Sequence, residues 1–394
     1  MQRKSVIVAA KRTPIGAFQG QFSALSASDL GSFVIKQILI DAQVNPNLID
    51  EVILGNVLSA GQGQAPARQA TIKSGCPNSV ESLTINKMCG SGLKAVMLAD
   101  QAIRCGDADI IIAGGMESMT NAPYLLQHAR SGQRLGHGQL VDSMIHDGLW
   151  DAFTNQHMGN CAEMLAKDRN YSREEQDEYA IESYNRAISA NDREIFKTEI
   201  VPIELKDRKN NTRVIEHDEE PQRVRYDKIP NLRPAFESNG TITAANASKL
   251  NDGAAALLIM SEQKAQELKI DPLATILGHA SAAHEPEWFT TAPGKAITKL
   301  LGKMNLIPND IDLWEINEAF SVVTMAAMQD FNIDHGKVNI YGGAVAMGHP
   351  IGASGARILT TLINGLEQKK STLGLATLCI GGGEASALVI KRHD

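Results

Sequence analysis

The sequence predicts an α/β protein built as two similar halves, and three observations carry that expectation. Short apolar runs bounded by turn residues recur at Val6 to Ala10, Val52 to Val57, Leu83 to Ile85 and Ile110 to Ala113, with helical periodicity between several of them. After about residue 270 a similar order returns: Ala274 to Leu277, Leu313 to Ile316, Val338 to Tyr341, Leu375 to Ile380 and Ala387 to Ile390. Each half also contains a junction where a strand-like run enters a Gly-rich turn and then a helix.

In the first half that junction is Ile85-Asn86-Lys87-Met88-Cys89-Gly90-Ser91-Gly92, followed by Leu93, Val96 and Met97 at helical spacing. In the second it is Gly348-His349-Pro350-Ile351-Gly352-Ala353-Ser354-Gly355, followed by Leu359, Leu362 and Ile363. Each turn is expected to bring a reactive side chain, Cys89 or His349, to a helix N-terminus. Residues 120–248 differ: they are richer in charge, carry the run Glu174-Glu175-Gln176-Asp177-Glu178 and lack the Gly-rich strand ends. They read as an insertion with amphipathic helices over roughly 159–193 and a polar, turn-rich stretch at 206–234. The strand-like Ala254 to Met260 then rejoins the first half. The expected divisions are 1–119 with 249–270, the insertion 120–248, and 271–394.

A chain of 394 residues exceeds the usual single-core size, which agrees with several units sharing extensive cores. Lys and Arg number 38 against 45 Asp and Glu, a net charge of −7, and no dense basic run exists to follow a phosphate backbone, so nucleic acid is not an expected partner. The five cysteines form no CxxC pair and are odd in number, which argues against a zinc ribbon and a secreted disulfide framework and for a reducing compartment. The β-branched run after Met1-Gln2-Arg3-Lys4 is too short for a signal-peptide core or a membrane span. The end Lys391-Arg392-His393-Asp394 is neither a peroxisomal nor a retention signal. A cytoplasmic protein without a membrane partner is the expectation.

Cys89 stands at a strand-to-helix turn flanked by Gly90 and Gly92, which removes bulk for an approaching substrate, and a helix dipole favours a thiolate there. Alone, it reads more readily as a small buried apolar side chain, which is what most free cysteines are. His349 and Cys379 change the balance: a nucleophilic thiol needs a base, and a condensation needs a second group to take a proton from the attacking carbon. The turn Gly381-Gly382-Gly383-Glu384 exposes backbone N–H groups able to hold an oxyanion, or is simply a tight turn. Asn317, directly after a strand, lies where open α/β sheets bind ligands, or caps the following helix.

Together, Asn86 to Gly92, Asn246-Ala247-Ser248 with Leu250 to Ala255, Asn317-Glu318-Ala319-Phe320, Gly342-Gly343-Ala344 with Gly348 to Gly352, and Cys379 to Gly383 resemble the thiolase family over essentially the whole chain. The resemblance implies a duplicated five-layer α/β/α/β/α core with an inserted loop domain, assembled as a tetramer or a dimer. It implies that Cys89 carries the acyl group, His349 activates it and Cys379 deprotonates the second acetyl-CoA. It further implies that Asn317 positions a water that, with His349, stabilises the enolate, and that the N–H groups of Cys89 and Gly381 hold the tetrahedral oxyanion. No metal or redox cofactor is implied, CoA being substrate and product.

Asp312 to Glu318, Asp218 to Val224 and Gln156 to Gly159 look most like the acetoacetyl-CoA branch, where His157 and Met158 narrow the acyl pocket. By the same resemblance Arg223 and Lys228 contact the CoA nucleotide, although the two basic residues read equally well as an ordinary solvated face; Ser248 meets the pantetheine, and Ala319 and Phe320 join the substrate-binding set. Some members bind potassium, and Tyr184, Ala244, Ala245, Ala247 and Val345 match that site. The loop Trp288-Phe289-Thr290-Thr291-Ala292-Pro293 departs from the Met-Gly-containing form of many bacterial enzymes, and Phe289 bears on chain length. Residues 121–145 read either as a tetramerisation arm, as in family members that assemble so, or as a solvent-exposed loop. The rival readings are a 3-ketoacyl-CoA thiolase of broader chain length, a ketosynthase, and a non-catalytic CoA-ester-binding subunit; a reversible Cys89–Cys379 redox pair is compatible with catalysis.

Overall fold

The computed structural model describes residues 3–206 and 210–393. Met1, Gln2 and Asp394, on which the targeting expectations partly rest, and residues 207–209 of the polar stretch lie outside the described residues.

One mixed sheet of ten strands runs through the protein. Its first part contains β1 (Ser5–Arg12), β2 (Gly16–Ala17), β3 (Glu51–Gly55), β4 (Glu81–Ile85) and β5 (Ile110–Ser118). Residues 119–250 hold three two-stranded ribbons, β6 (Tyr124–Leu126) with β7 (Leu140–Asp142), β8 (Trp150–Asp151) with β9 (Gln156–His157), and β10 (Ile203–Lys206) with β11 (Thr212–Ile215). The sheet resumes with β12 (Asn251–Ser261), β13 (Ala274–Ala283), β14 (Leu313–Ile316), β15 (Leu373–Ile380) and β16 (Glu384–Arg392). The order is β14-β15-β16-β13-β1-β12-β5-β3-β4, with β2 appended to β12. The parts join where Val6 and Ile7 pair with Thr275 and Ala274.

The helices are α1 (Ala27–Asp41), α2 (Pro66–Lys73), α3 (Ser91–Cys105), α4 (Met158–Asp168), α5 (Arg173–Asp192), α6 (Glu262–Leu268), α7 (Ala292–Met304), α8 (Ser321–Phe331), α9 (Ala344–Met347) and α10 (Ser354–Lys369). Strand periodicity dictates the layering. In β12, Ala254, Ala256, Leu258 and Met260 face the cluster under α1 and α2, whereas Ala255, Leu257 and Ile259 face the cluster around α3 and α10. In β16, Leu388 and Ile390 turn to that same central cluster, and Ala385, Ala387 and Val389 to the outer cluster under α7. Helices α3 and α10 therefore lie sandwiched between the two parts of the sheet.

The central helices approach closely because glycine meets backbone on both. A methyl group at Gly92 would stand 2.8 Å from the Ala356 nitrogen, and one at Gly355 would overlap the Leu93 backbone. Gly92 is thus a packing residue, not a clearing for substrate. At the end of β3, a methyl at Gly55 would lie 2.5 Å from the Ser91 side chain and 2.7 Å from the Gly352 carbonyl oxygen. One at Gly115 would overlap that same carbonyl.

Two expectations need correction. Val338 to Tyr341 is not a strand: Val338 makes only a single bridge to Trp314, and Asn339 takes a left-handed conformation with φ 46°. Its side chain replaces strand pairing by bonding the N–H and C=O of Ile316 at 2.9 and 2.8 Å. Gly348 follows the four-residue helix α9, not a strand, and His349 precedes the first residue of α10 by five positions. The turn Pro350 to Ala353 separates the imidazole from the helix N-terminus.

Gly115→Ala is expected to lose about 1–3 kcal/mol of stability through overpacking, with a disproportionate loss of activity because the displaced Gly352 carbonyl lies three residues from His349. Gly302→Ala, in α7 with open space around the added methyl, is expected to gain about 0.5–1 kcal/mol. Denaturant unfolding of both variants checks the contrast; equal effects at the two positions would contradict it.

Candidate active site

Cys89 is presented by a turn that its neighbours hold open. Met88 adopts φ 46°, unusual for a side chain with a Cβ. Three bonds hold it there: Asn86 Oδ1 accepts from the Met88 N–H at 3.0 Å, Ser91 Oγ accepts from the Lys87 N–H at 2.8 Å, and Ser91 Oγ donates to the Met88 carbonyl at 2.6 Å. Gly90 passes against Ile380 of the other half. These contacts give Asn86, Gly90 and Ser91 positional roles around the sulfur.

His349 is held from both sides. Its N–H donates to Asn251 Oδ1 at 2.9 Å, and Nδ1 lies 2.5 Å from Ser354 Oγ. That hydroxyl also lies 3.0 Å from the Pro350 carbonyl, to which it can donate while accepting from Nδ1–H, an arrangement that favours the tautomer with the proton on Nδ1. The Nε2 lone pair is left free, buried and without a hydrogen-bond partner. Burial, reinforced by Arg357, pushes the imidazole down to about 3, so it is neutral at rest.

A cavity of about 380 Å³ joins the two groups. Cys89, His349 and Gly381 line it together with His157, Met158, Ser248, Phe289, Ala319 and Phe320. The Gly381 N–H bonds to the Cys89 sulfur, yet apolar surroundings dominate and push the thiol up to about 11. The helix N-terminus therefore does not make Cys89 a resting thiolate, contrary to the expectation from sequence. Cys379 is fully buried in the cluster of Met158, Phe289, Ala319 and Phe320; burial first, then the neighbouring Cys89, raises it well above the ordinary thiol range.

Asn317 is not a helix cap, because α8 begins after Phe320. Both polar atoms of its side chain are buried and unpartnered, a costly arrangement unless another group meets them. His157 combines two tasks: Nδ1 caps α4 by accepting from the Gly159 N–H at 3.0 Å, and the ring stacks on Phe236 at 4.8 Å while lining the cavity. Ser248 donates its N–H to the Ala319 carbonyl at 3.0 Å. Arg223 and Lys228 are exposed and do not line the cavity. Of the potassium set, Ala244 and Ala247 line the cavity, Tyr184, Ala245 and Val345 are buried, and the Lys249 ammonium bonds the carbonyls of Ala247 and Val345.

Known proteins match this chain over nearly its whole length. The "Thiolase, N-terminal domain" model matches residues 5–263 and the "Thiolase, C-terminal domain" model residues 270–392. The chain belongs to the thiolase family. It is 50% identical over 393 residues to an acetyl-CoA acetyltransferase of Allochromatium vinosum, covering 100% of both chains. It is 51% identical over 386 residues to the acetyl-CoA acetyltransferase of Yarrowia lipolytica, with 98% of this chain and 96% of that one covered. Among solved structures, the Acat5 thiolase from Ascaris suum in complex with coenzyme A matches with TM-score 0.94 at 45% identity, covering 99% and 100% of the two chains. The Bacillus anthracis acetyl-CoA acetyltransferase matches with TM-score 0.97 at 39% identity, covering 100% and 99%.

Sequence reasoning missed several parts of this thiolase's cavity wall: Met119, Met144, Ile145, Leu149, Phe236, Leu250 and Ile351. They are mostly ordinary apolar side chains with no chemical signature. Glu117 was missed too, although a carboxylate ending an apolar strand run is a legible signal. It accepts from Asn56 Nδ2 at 2.8 Å and from the N–H groups of Val57, Leu58 and Gly352 at 3.0, 3.1 and 2.9 Å.

A thiol pushed up to about 11 gains thiolate about tenfold per pH unit until that value is approached. Alkylation of Cys89 by iodoacetamide in substrate-free enzyme is therefore expected to rise about tenfold from pH 7 to 8 and to keep rising past pH 9. His349, already neutral, adds no step in this range. A rate that levels off below pH 8 would show that the imidazole or the helix, and not burial, governs the sulfur.

Proposed function

We propose that this thiolase is an acetyl-CoA C-acetyltransferase, condensing two acetyl-CoA molecules to acetoacetyl-CoA and CoA and catalysing the reverse thiolysis. The observation that carries the reading is the convergence of the Cys89 thiol, the free Nε2 lone pair of His349 and the Gly381 N–H on one cavity, with the Cys379 thiol buried beside it. The names of the full-length relatives support the same substrate.

In the first step His349 Nε2 takes the Cys89 proton as the sulfur attacks the thioester carbon of acetyl-CoA. The oxyanion is met by the N–H groups of Cys89 and Gly381. The C–S bond to CoA breaks, and the departing thiolate takes the Cys379 proton. In the second step the Cys379 thiolate removes a C2 proton from another acetyl-CoA. The enolate oxygen is held by His349 Nε2–H and by a water on Asn317, whose unpartnered amide has capacity for it. The enolate carbon attacks the acyl group, the bond to Cys89 breaks, and the Cys89 sulfur recovers its proton from His349. All three groups return to their starting states. Each N–H of the oxyanion site is worth about 10²- to 10³-fold in rate.

Met158, Phe289 and Phe320 crowd the part of the cavity nearest Cys379, which supports short acyl groups. His157, Ser248 and Ala319 on the wall complete the substrate contacts, and Arg223 and Lys228 are assigned to the CoA nucleotide. The reading keeps 1–119 with 249–270 and 271–394 as the two halves and 120–248 as the loop domain. We assign a homotetramer, supported by exposed apolar side chains in the 121–145 segment, among them Tyr124, Leu135 and Leu140. No helix among the described residues is long and apolar enough to cross a membrane, and the five cysteines are free, which supports a cytoplasmic location.

Thiolysis of acetoacetyl-CoA compared with a C8 to C16 3-ketoacyl-CoA series tests the substrate. Activity is expected on the C4 ester, abolished in Cys89→Ala and lowered about 10²- to 10⁴-fold in Cys379→Ser. Preference for the long esters would make the protein a 3-ketoacyl-CoA thiolase, and no thiolysis at all would make it a non-catalytic subunit.

A further inference from the structure

Lys249 follows Ser248 on the cavity wall and turns its ammonium inward. Nζ donates to the Ala247 carbonyl at 3.1 Å and to the Val345 carbonyl at 3.3 Å, and lies 5.5 Å above the centre of the Tyr184 ring. Glu220 and Glu318 add electrostatic attraction, and burial lowers the group to about 8, leaving it charged at neutral pH. Carbonyl oxygens and an aromatic face are the surroundings a monovalent cation takes. Three of the residues matched to a potassium site, Tyr184, Ala247 and Val345, here surround a cation of the chain itself. A potassium ion on the same carbonyls would stand against an ammonium in a poorly solvated pocket, where like charges repel strongly. The residues present therefore do not fit potassium.

We propose that Lys249 is a positioning residue, a tethered replacement for a monovalent cation. Its ammonium fastens the turn carrying Ser248 to the segment carrying Val345, which leads through Gly348 to His349. The link matters because Ser248 and the Ala319 carbonyl it bonds belong to the same wall. The wild-type protein consequently works without potassium, and removal of the ammonium creates a site for it. This inference rests on the thiolase activity assigned above.

The test compares full-length wild type, Lys249→Ala and Lys249→Met in acetoacetyl-CoA thiolysis and in thermal unfolding, each in KCl and in NaCl at equal ionic strength. Wild type is expected to be equally active and equally stable in both salts. Lys249→Ala is expected to lose about 10- to 100-fold in kcat/KM in NaCl, the scale of lost hydrogen bonds to a charged group, and to recover both rate and melting temperature in KCl. Lys249→Met, whose side chain fills the space without charge, is expected to lose rate and not recover in either salt. Stimulation or stabilisation of the wild type by KCl overturns the proposal, as does an Ala variant indifferent to the salt or a Met variant rescued as well as Ala. A wild type inactive in both salts instead removes the activity assignment, and the potassium-specific melting shift of Lys249→Ala still decides the cation replacement.

Discussion

The carboxylate of Glu117 is the interaction on which the rest of the site depends. It lies one residue before the end of β5, in the interior, and gathers four N–H donors from two distant parts of the chain, three from Asn56 to Leu58 and one from Gly352. Burial raises its pKa to about 7 even against those donors, so it is retained at a real electrostatic cost. What it achieves is register between halves: the strand end beside Cys89's turn and the loop that carries His349 share one anchor. The glycines at 55 and 115 make this possible by letting the Gly352 carbonyl come directly against the sheet.

The charge state of the site follows from the same burial. An apolar cavity favours the neutral thiol at Cys89 and Cys379 and the neutral imidazole at His349. In the mechanism proposed above, charge develops only as protons move between these groups, among N–H donors placed where negative oxygen would appear. This is catalysis by preorganisation, and it needs no stored thiolate. The polar atoms of Asn317 and the Nε2 of His349, which have no partner within the protein, are the groups that the proposed mechanism uses.

Much of the fold was legible because strands buried on both faces leave continuous apolar runs, and β1, β3, β5, β12, β14, β15 and β16 all carry one. Val338 to Tyr341 misled because its apolar pattern matches a strand, whereas the left-handed Asn339 and its side-chain bonds to Ile316 decide the backbone. The site was legible where glycine and a reactive side chain coincide, at Cys89, His349 and Gly381. It was illegible where long-range packing makes the wall, as with Met144, Leu149 and Phe236. The meaning of Gly92 and of Lys249 was hidden for the same reason: their partners, Ala356 and Val345, lie far away in the chain.

The proposed function requires the two halves to bring Cys89 and His349 together to form an acyl-enzyme. Brief incubation with acetyl-CoA, acid quenching and peptide mass spectrometry test it most directly. One acetyl group is expected, on the peptide containing Cys89 and removable by added CoA, with little formed in His349→Ala. Acetyl found on Cys379 instead, or no acetylated peptide under conditions of active turnover, would contradict it.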